Sequence, residues 1–323
     1  MAEPVVSVVV PTHNRAEHLG GLVEAFEAQR GVDSFEVIVV DDASTDDTEL
    51  VLDRLQRSTR VPIHARRLEC NRGPAAARNV GWRAARAPFV AFTDDDCRPD
   101  PNWLSRLIAH LDGADLVQGR TLPDPAHADR VGPFSRSVET IDEWGFYETC
   151  NVAYRREALA RVGGFDEGFR RPFGEDTDLA WRVKDSGGRS AFEPEAVVYH
   201  AVWPRSFGAH LRDLPRQSGI VRALSRNRGL RQRLPRRWFW EQSHKPALIA
   251  AAGLAVAVAR RTPSSAALAA ASLAPYVRYR ARVDPLTPGA AAHPAVIAQL
   301  LVADWVEIAV FLAASVRYRT LVL

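Results

Sequence analysis

The chain has 323 residues, 46% hydrophobic and 25% charged, which excludes wholesale disorder and is long enough for one catalytic domain plus an appendage. The net charge of +3 hides an asymmetry: Arg205 to Lys245 carries ten Arg and one Lys against Asp213 and Glu241, a local +9, so the basic charge points to an anionic surface. Cys70, Cys97 and Cys150 are widely spaced with no C-x-x-C pair, which indicates neither a disulfide framework nor a cysteine zinc site and fits a reducing compartment.

The opening MAEPVVSVVVPTHNR has no basic segment ahead of its apolar stretch, which is too short for a signal sequence, so the catalytic part is expected to remain in the cytoplasm. Val5 to Val10 reads as a first β-strand closed by Pro11, Thr12, His13 and Asn14, then a helix through Leu19, Leu22, Val23 and Phe26. Phe35 to Val40 repeats the form, ending in Asp41, Asp42, Ala43, Ser44, Thr45 and Asp46 before a helix through Leu50, Leu52 and Leu55. Ile63 to Leu68 is a third strand candidate, and Asn71 to Pro74 opens a small-residue helix, Ala75 to Ala85, that carries Arg78 and Asn79.

Ala87 to Asp100, APFVAFTDDDCRPD, is the centre of the pattern: a short apolar strand runs into Asp94, Asp95 and Asp96 and then into a turn containing Pro99 and Pro101. Ligands bind at the C-terminal ends of strands in open α/β sheets. Three adjacent carboxylates repel one another unless a hard divalent cation neutralises them, and the alternative is an acidic surface turn. Alternating strands and helices imply a largely parallel sheet wrapped by helices. No G-x-G-x-x-G follows the first strand and no G-x-x-x-x-G-K-[ST] occurs, so a nucleotide has to be held by carboxylates and a metal.

Ala114 to Val117 is a further short strand, and Pro123 to Pro133 reads as a loop. Phe146 to Tyr154, containing Cys150 and Asn151, leads to a helix through Leu159 and Val162 that Gly163 and Gly164 close. Glu175, Asp176 and Asp178 open another helix, through Leu179, Trp181 and Val183, that stops at Gly187 and Gly188; acids in a first turn also simply complement the helix dipole. Ala196 to His200 is a strand ending in histidine.

In this order the segments resemble a family 2 glycosyltransferase of the GT-A fold, over about Val5 to Trp203. The residues that carry the resemblance are Pro11 to Asn14 for P-x-x-N, Val40 to Asp46 for V-D-D-x-S-x-D, Gly73 to Gly81 for G-x-x-x-A-R-N-x-G, Asp94 to Asp96 for D-x-D, and Glu175 to Leu179 for E-D-x-D-L. It implies an α/β fold: a Rossmann-like, mostly parallel sheet flanked by helices, with residues 1–204 catalytic; residues 205–323, beyond the resemblance, are expected from their composition to form a helical, membrane-associating region. The implied reaction is inverting transfer from a nucleotide diphosphate sugar, UDP- or similar, with Mn²⁺ or Mg²⁺ held by Asp94 and Asp96. His200 is either a further metal ligand, which favours Mn²⁺, or a structural residue.

By the same resemblance Asp41 or Asp42 accepts from the base. Pro11, Thr12, Asn14 and Arg15 approach the nucleotide, with Asp94 and Asp95 on the donor side, and Arg78 with its neighbour Asn79 faces the diphosphate; the alternative for Arg78 is a solvated helix residue. Asp176 is the implied general base, with Glu175 its neighbour or substitute. Asn151, Trp181 and Arg182 are acceptor-side expectations, against which Trp181 has core packing as its alternative.

Beyond Trp203, Ser206 to Arg237 mixes leucines with arginines and is followed by Trp238, Phe239 and Trp240, the composition of a helix lying at a membrane headgroup region; no nucleic-acid motif accompanies it. Pro246 to Ala259 and Ala266 to Val277 are each shorter than a spanning helix, and Ala290 to Val316 is interrupted by His293, Asp304 and Glu307. These segments either attach peripherally or monotopically to the cytoplasmic face of the cell membrane or pack on the catalytic domain. Attachment implies a lipid-linked or glycan acceptor in envelope polysaccharide or glycolipid synthesis. The competing classes are a nucleotidyltransferase, whose Gly-rich activating loop is replaced here by Pro11 to Asn14, and a non-catalytic membrane scaffold, against which Asp94, Asp96 and Asp176 are intact.

Overall fold

A computed structural model describes residues 3–234, 238–283 and 293–323. The chain divides into two compact units, Met1–His127 with Ser137–Ala201, and Ala128–Arg136 with Val202–Leu323.

The first unit is built on one eight-stranded sheet. Its β-branched strands β1 (Val6–Thr12) and β2 (Phe35–Asp41) are buried almost throughout, as expected of strands covered on both faces. With β3 (Ile63–Arg67) and β4 (Phe89–Phe92) they form a parallel block in the order β3-β2-β1-β4. Helices α1 (Ala16–Glu27), α2 (Thr48–Ser58) and α3 (Pro74–Ala84) make the crossovers. The small residues of α3 let it lie close to the sheet: a Cβ added at Gly81 would stand 2.3 Å from Val9 Cγ1. Alternate residues divide the core, with Val6, Val8 and Val10 on one face beside Leu19, Phe26 and Trp103, and Val9 on the other beside Trp82 and Tyr154.

The block continues through β7 (Val152–Arg155), β6 (Leu116–Pro123), β8 (Ser190–His200) and β5 (Cys97–Pro99). β7 runs antiparallel to both β4 and β6, and β5 antiparallel to β8, while β6 and β8 are parallel. The sheet is therefore mostly parallel with two reversed strands. Periodicity reveals that a segment is a strand, not which neighbour it pairs with. The turn expected at Pro99 is instead β5, an outer strand, where a residue without an N–H is tolerated. Helix α4 (Trp103–Ala109) follows; Trp103, Leu104 and Leu107 are buried in only seven residues, too short a run to register in the sequence pattern. The loop expected from Pro123 to Pro133 contains 3₁₀ turns over Pro125–Arg130. Helix α5 (Arg156–Val162) ends on Gly163 in the left-handed region (φ 78°), and α6 is Glu175–Asp185.

The second unit is helical. The amphipathic stretch after Trp203 is broken into α7 (Phe207–Asp213), a 3₁₀ turn at Leu214–Gln217, α8 (Ser218–Arg226) and α9 (Arg228–Arg231). Helices α10 (His244–Arg260) and α11 (Pro263–Val283) pack against each other, and α12 is Pro294–Tyr318. Helix α11, at 21 residues, is longer than its apolar run because arginines, good helix formers, extend it. Helix α12 is long and apolar enough to cross a membrane by length and composition. Arg236 and Arg237 of the basic stretch, and Ala290, where the last apolar segment was expected to begin, lie outside the described residues.

Candidate active site

Three strand ends meet at the C-terminal edge of the parallel block. After β1, Asn14 takes a left-handed conformation (φ 53°), which its short polar side chain tolerates. Its N–H donates to Ser44 Oγ at 2.8 Å and its Oδ1 accepts the Thr45 N–H at 2.7 Å, so the first two loops are stapled together. Pro11 lies within β1 opposite Val40.

After β2, Asp41 accepts from the Ser44 N–H at 2.8 Å and from the Arg67 guanidinium. Asp42 accepts from the N–H groups of Arg72 and Gly73 at 2.7 and 2.8 Å, which fixes the entry into α3. Gly73 is needed there: its φ is 88°, and an added Cβ would meet the Arg170 carbonyl oxygen at 2.5 Å.

Arg78 is the hub. It is only 4% exposed, so it is not a solvated helix residue. One arm of its guanidinium donates to Asp94 Oδ1 at 2.7 Å and the other to Glu175 Oε1 at 3.0 Å. Glu175, also buried, accepts from the Phe173 N–H at 2.8 Å through its second oxygen. Asp94 and the first turn of α6, eighty residues apart in the sequence, are thereby joined through one side chain. Both carboxylates hold the Arg78 guanidinium well above its ordinary value against the opposing effect of burial.

The three aspartates face different ways. Asp95 turns to the first loop, where Thr12 Oγ1 donates to it at 2.7 Å; burial, then the neighbouring Asp96 charge, pushes its carboxyl up to about 7. Asp96 lies 3.8 Å from Arg15 Nη1 and 3.5 Å from His200 Nε2. The β5–β8 register accounts for this placement: Cys97 lies opposite His200, and the Ala201 N–H donates to the Asp96 carbonyl at 2.9 Å. His200 Nδ1 is 2.8 Å from the Ala201 carbonyl, a contact that places the ring N–H on Nδ1 and leaves Nε2 as the electron-pair donor facing Asp96. Asp96, His200 and the buried Cys97 thiol bring one ligand atom each within 4.8 Å of one another. A carboxylate and a correctly oriented imidazole are the donor types that Mn²⁺ accepts, so the residues fit the cation.

Asp176 is half-buried at the start of α6, accepting from the Thr177 N–H at 2.7 Å. Burial raises its pKa well above the ordinary carboxylate value, with Glu175 and Glu148 adding to the effect and Arg78 opposing it more weakly. Glu148 escaped the sequence reading. It lies in an irregular segment before β7, takes a 2.6 Å bond from Gln118 Nε2, and no spacing points to it. The Thr177 hydroxyl, donating to the Phe146 carbonyl at 2.8 Å, ties that segment to α6.

Four further expected residues are held by bonds within the fold. Asn79 binds Glu167 and the Phe165 backbone and accepts from Trp82 Nε1, holding the loop after α5. Asn151 is fully buried, accepting from Trp103 Nε1 at 2.8 Å and donating to the Arg120 and Ala196 carbonyls at 2.8 and 2.9 Å, where β6 bulges. Trp181 packs inside with Nε1 on the Gly145 carbonyl at 2.8 Å. Arg182 closes the end of α5 through the Val162 and Gly164 carbonyls and pairs with Asp178. Most of their polar groups are engaged with neighbouring backbone carbonyl and N–H groups.

A mostly parallel α/β sheet flanked by helices, with acidic and basic residues gathered at its strand ends, is the architecture of the GT-A fold. Residues 7–165 match Glycosyl transferase family 2 and residues 89–283 match Glycosyl transferase family group 2. The chain belongs to glycosyltransferase family 2. It is 31% identical over 219 residues to Glycosyltransferase AglE of Haloferax volcanii, covering 65% of this chain and 70% of that protein. It is 32% identical over 212 residues to the pre-mycofactocin glycosyltransferase of Mycobacterium tuberculosis, covering 60% of this chain but only 42% of that relative. Among solved structures, the mannosyltransferase PcManGT from Pyrobaculum calidifontis, in complex with GDP-Man and Mn²⁺, superposes with a TM-score of 0.65 at 23% identity, over 95% of this chain and 87% of that one. The Staphylococcus aureus TarS 1-349 structure with UDP-GlcNAc gives 0.54 at 20% identity, over 97% of this chain and 91% of that one.

Proposed function

We propose that this chain is an inverting, metal-dependent glycosyltransferase that moves a sugar from a nucleotide diphosphate donor to a hydroxyl of a lipid-linked or glycan acceptor, in envelope polysaccharide or glycolipid synthesis. The observation that carries the reading is the Asp94–Arg78–Glu175 chain, which couples the strand-end aspartates to the helix bearing Asp176. The mannosyltransferase with GDP-Man and Mn²⁺ supports the donor class.

Asp96 and His200, with Asp94 beside them, would hold the cation, which supplies positive charge against the leaving diphosphate. The base edge of the nucleotide is assigned to Asp41 and Asp42, since a carboxylate has more acceptor positions than the bonds each makes here. Arg15 faces the phosphates from the first loop.

In the transfer the acceptor oxygen forms a bond to the anomeric carbon while the bond from that carbon to the diphosphate oxygen breaks on the opposite side. The configuration inverts in this single displacement. Asp176 takes the acceptor's hydroxyl proton, a task to which its raised pKa suits it. Glu175, held by Arg78 and the Phe173 N–H, stands beside Asp176 in the first turn of α6, as its neighbour or its substitute.

The first compact unit is assigned the chemistry and the second the attachment, peripheral or monotopic at the cytoplasmic membrane face. Exposed Leu254, Val258, Leu268 and Val316 on apolar helices and the basic stretch support an anionic lipid surface as partner. Incubation with a panel of sugar nucleotides and Mn²⁺, following nucleoside diphosphate release on addition of lipid-linked acceptors, tests the reading. Release is expected from one donor class and is lost in Asp176→Asn. Turnover that survives in that variant removes Asp176 as base.

A further inference from the structure

The apolar helix α12 carries two carboxylates where its composition gives no reason for them. Asp304 and Glu307 are 3% and 7% exposed and three residues apart, so they share one face of the helix. Across from them stand His244, which is fully buried at the start of α10, and Arg280 of α11. Arg280 donates to Asp304 Oδ1 at 2.5 Å and also reaches Tyr276 Oη and Ser243 Oγ. His244 Nε2 lies 3.1 Å from Glu307 Oε2. The second oxygen of Asp304, Oδ2, is buried and has no hydrogen-bond partner among the described residues. A buried carboxylate oxygen left unpaired is unfavourable, and a cation is the usual remedy.

We propose that His244, Asp304 and Glu307 form a second divalent-metal site, separate from the donor site and suited to Zn²⁺. The three side chains already bring one ligand atom each within 4.8 Å of one another. Zinc bound by imidazole and carboxylate has bonds of about 2.0–2.2 Å, so small rotations of the two acids close the triangle. One nitrogen and two oxygen ligands, with no sulfur, select an ion of the zinc and manganese group over a soft one.

The charge balance points the same way. Arg280 pairs with Asp304, and Glu307 adds a second buried carboxylate to the cluster. A dication would add positive charge against Asp304 and Glu307, two carboxylates that Arg280 alone does not balance. Binding exchanges the proton shared by His244 and Glu307 for the metal, and that proton leaves to solvent. The ion would pin α10 to α12, and Arg280 would extend the same node to α11.

The site is tested in full-length protein carrying Asp96→Ala and His200→Ala, which removes the donor-site ligands. After chelator treatment, Zn²⁺ is titrated by calorimetry and bound metal is counted by mass spectrometry in desalted protein. One Zn²⁺ per chain is expected, with affinity falling as the pH is lowered and a rise in melting temperature on binding. Adding His244→Gln, which retains a donor toward Glu307, should weaken Zn²⁺ by about 100-fold and abolish the thermal shift. Glu307→Gln should act similarly. Absence of Zn²⁺ from the parent, or binding indifferent to both substitutions, overturns the proposal; if His244→Gln does not fold, the parent titration decides alone. These residues are not in the transferase site, so either result leaves the transferase reading standing.

Discussion

Removing Arg78 tests how the two halves of the active site are joined. The guanidinium and the Glu175 carboxylate are each no more than 4% exposed, and both remaining bonds of the hub converge on them. In Arg78→Met the Glu175 charge stays buried with only the Phe173 N–H to hold it. Breaking a buried pair by deleting one partner costs about 3–5 kcal/mol. Asp94 contributes little to that sum, because its side chain is 28% exposed and water replaces the lost partner. Glu175→Gln alone is milder, since Arg78 keeps Asp94 and the amide oxygen still accepts. In the double variant no charge is stranded, so the loss should be smaller than the two single losses together, with a coupling of about 2–3 kcal/mol. Urea denaturation of the four proteins measures the cycle. Effects that add to within about 0.5 kcal/mol would refute the direct pairing.

Asp176→Asn should abolish transfer and yet stabilise the fold at neutral pH. Burial raises the folded pKa of this carboxyl above its unfolded value of 3.8, so the stability it contributes is present below that value and lost as pH rises through the folded pKa. Asparagine never ionises, so its advantage in urea denaturation should be present at pH 7 and shrink on acidification; a variant less stable at pH 7 contradicts the sign. Mn²⁺ should exceed Mg²⁺ in supporting turnover, and His200→Ala should narrow that preference, measured as the ratio of the two rates. Gly81→Ala, whose new Cβ would stand 2.3 Å from Val9 Cγ1, should lose about 1–3 kcal/mol by thermal denaturation without altering the metal preference.

The strand ends were legible because a buried parallel strand is a β-branched run, and such a run stopping at Asn14, Asp41 or Asp94 declares where polar groups collect. The reversed strands β5 and β7 were not, since hydrogen-bond pairing leaves no period in the sequence. At Asn79, Asn151 and Arg182 the sequence does not show which groups of the fold each polar side chain binds. A buried loop or bulge must satisfy its own carbonyl and N–H groups, and a side chain that does so looks, in sequence, like one that binds a ligand. Glu148 fails in the opposite sense: it acts on Asp176 only through the folding of an irregular segment onto α6.

The charges around the donor site link its two expected ligands. Asp94, Asp96 and Glu175 face Arg15 and Arg78, and Asp95 and Asp176 add further acid as pH rises. Arg78 is already engaged at both ends of its guanidinium. A diphosphate approaching this edge meets net negative charge, so its binding free energy must depend on a cation arriving with it. Coupling of two ligands is reciprocal: the factor by which Mn²⁺ tightens a nucleoside diphosphate is the factor by which the nucleotide tightens Mn²⁺. Calorimetry of UDP and GDP with and without Mn²⁺, and of Mn²⁺ with and without nucleotide, should return the same factor, of about tenfold or more. Asp96→Ala should reduce both to unity, because it removes the carboxylate beside His200 while leaving intact Asp41 and Asp42, the proposed base-binding edge. Nucleotide binding of equal strength with and without the metal would mean that Arg15 suffices for the phosphates, and that the aspartates serve the sheet edge alone.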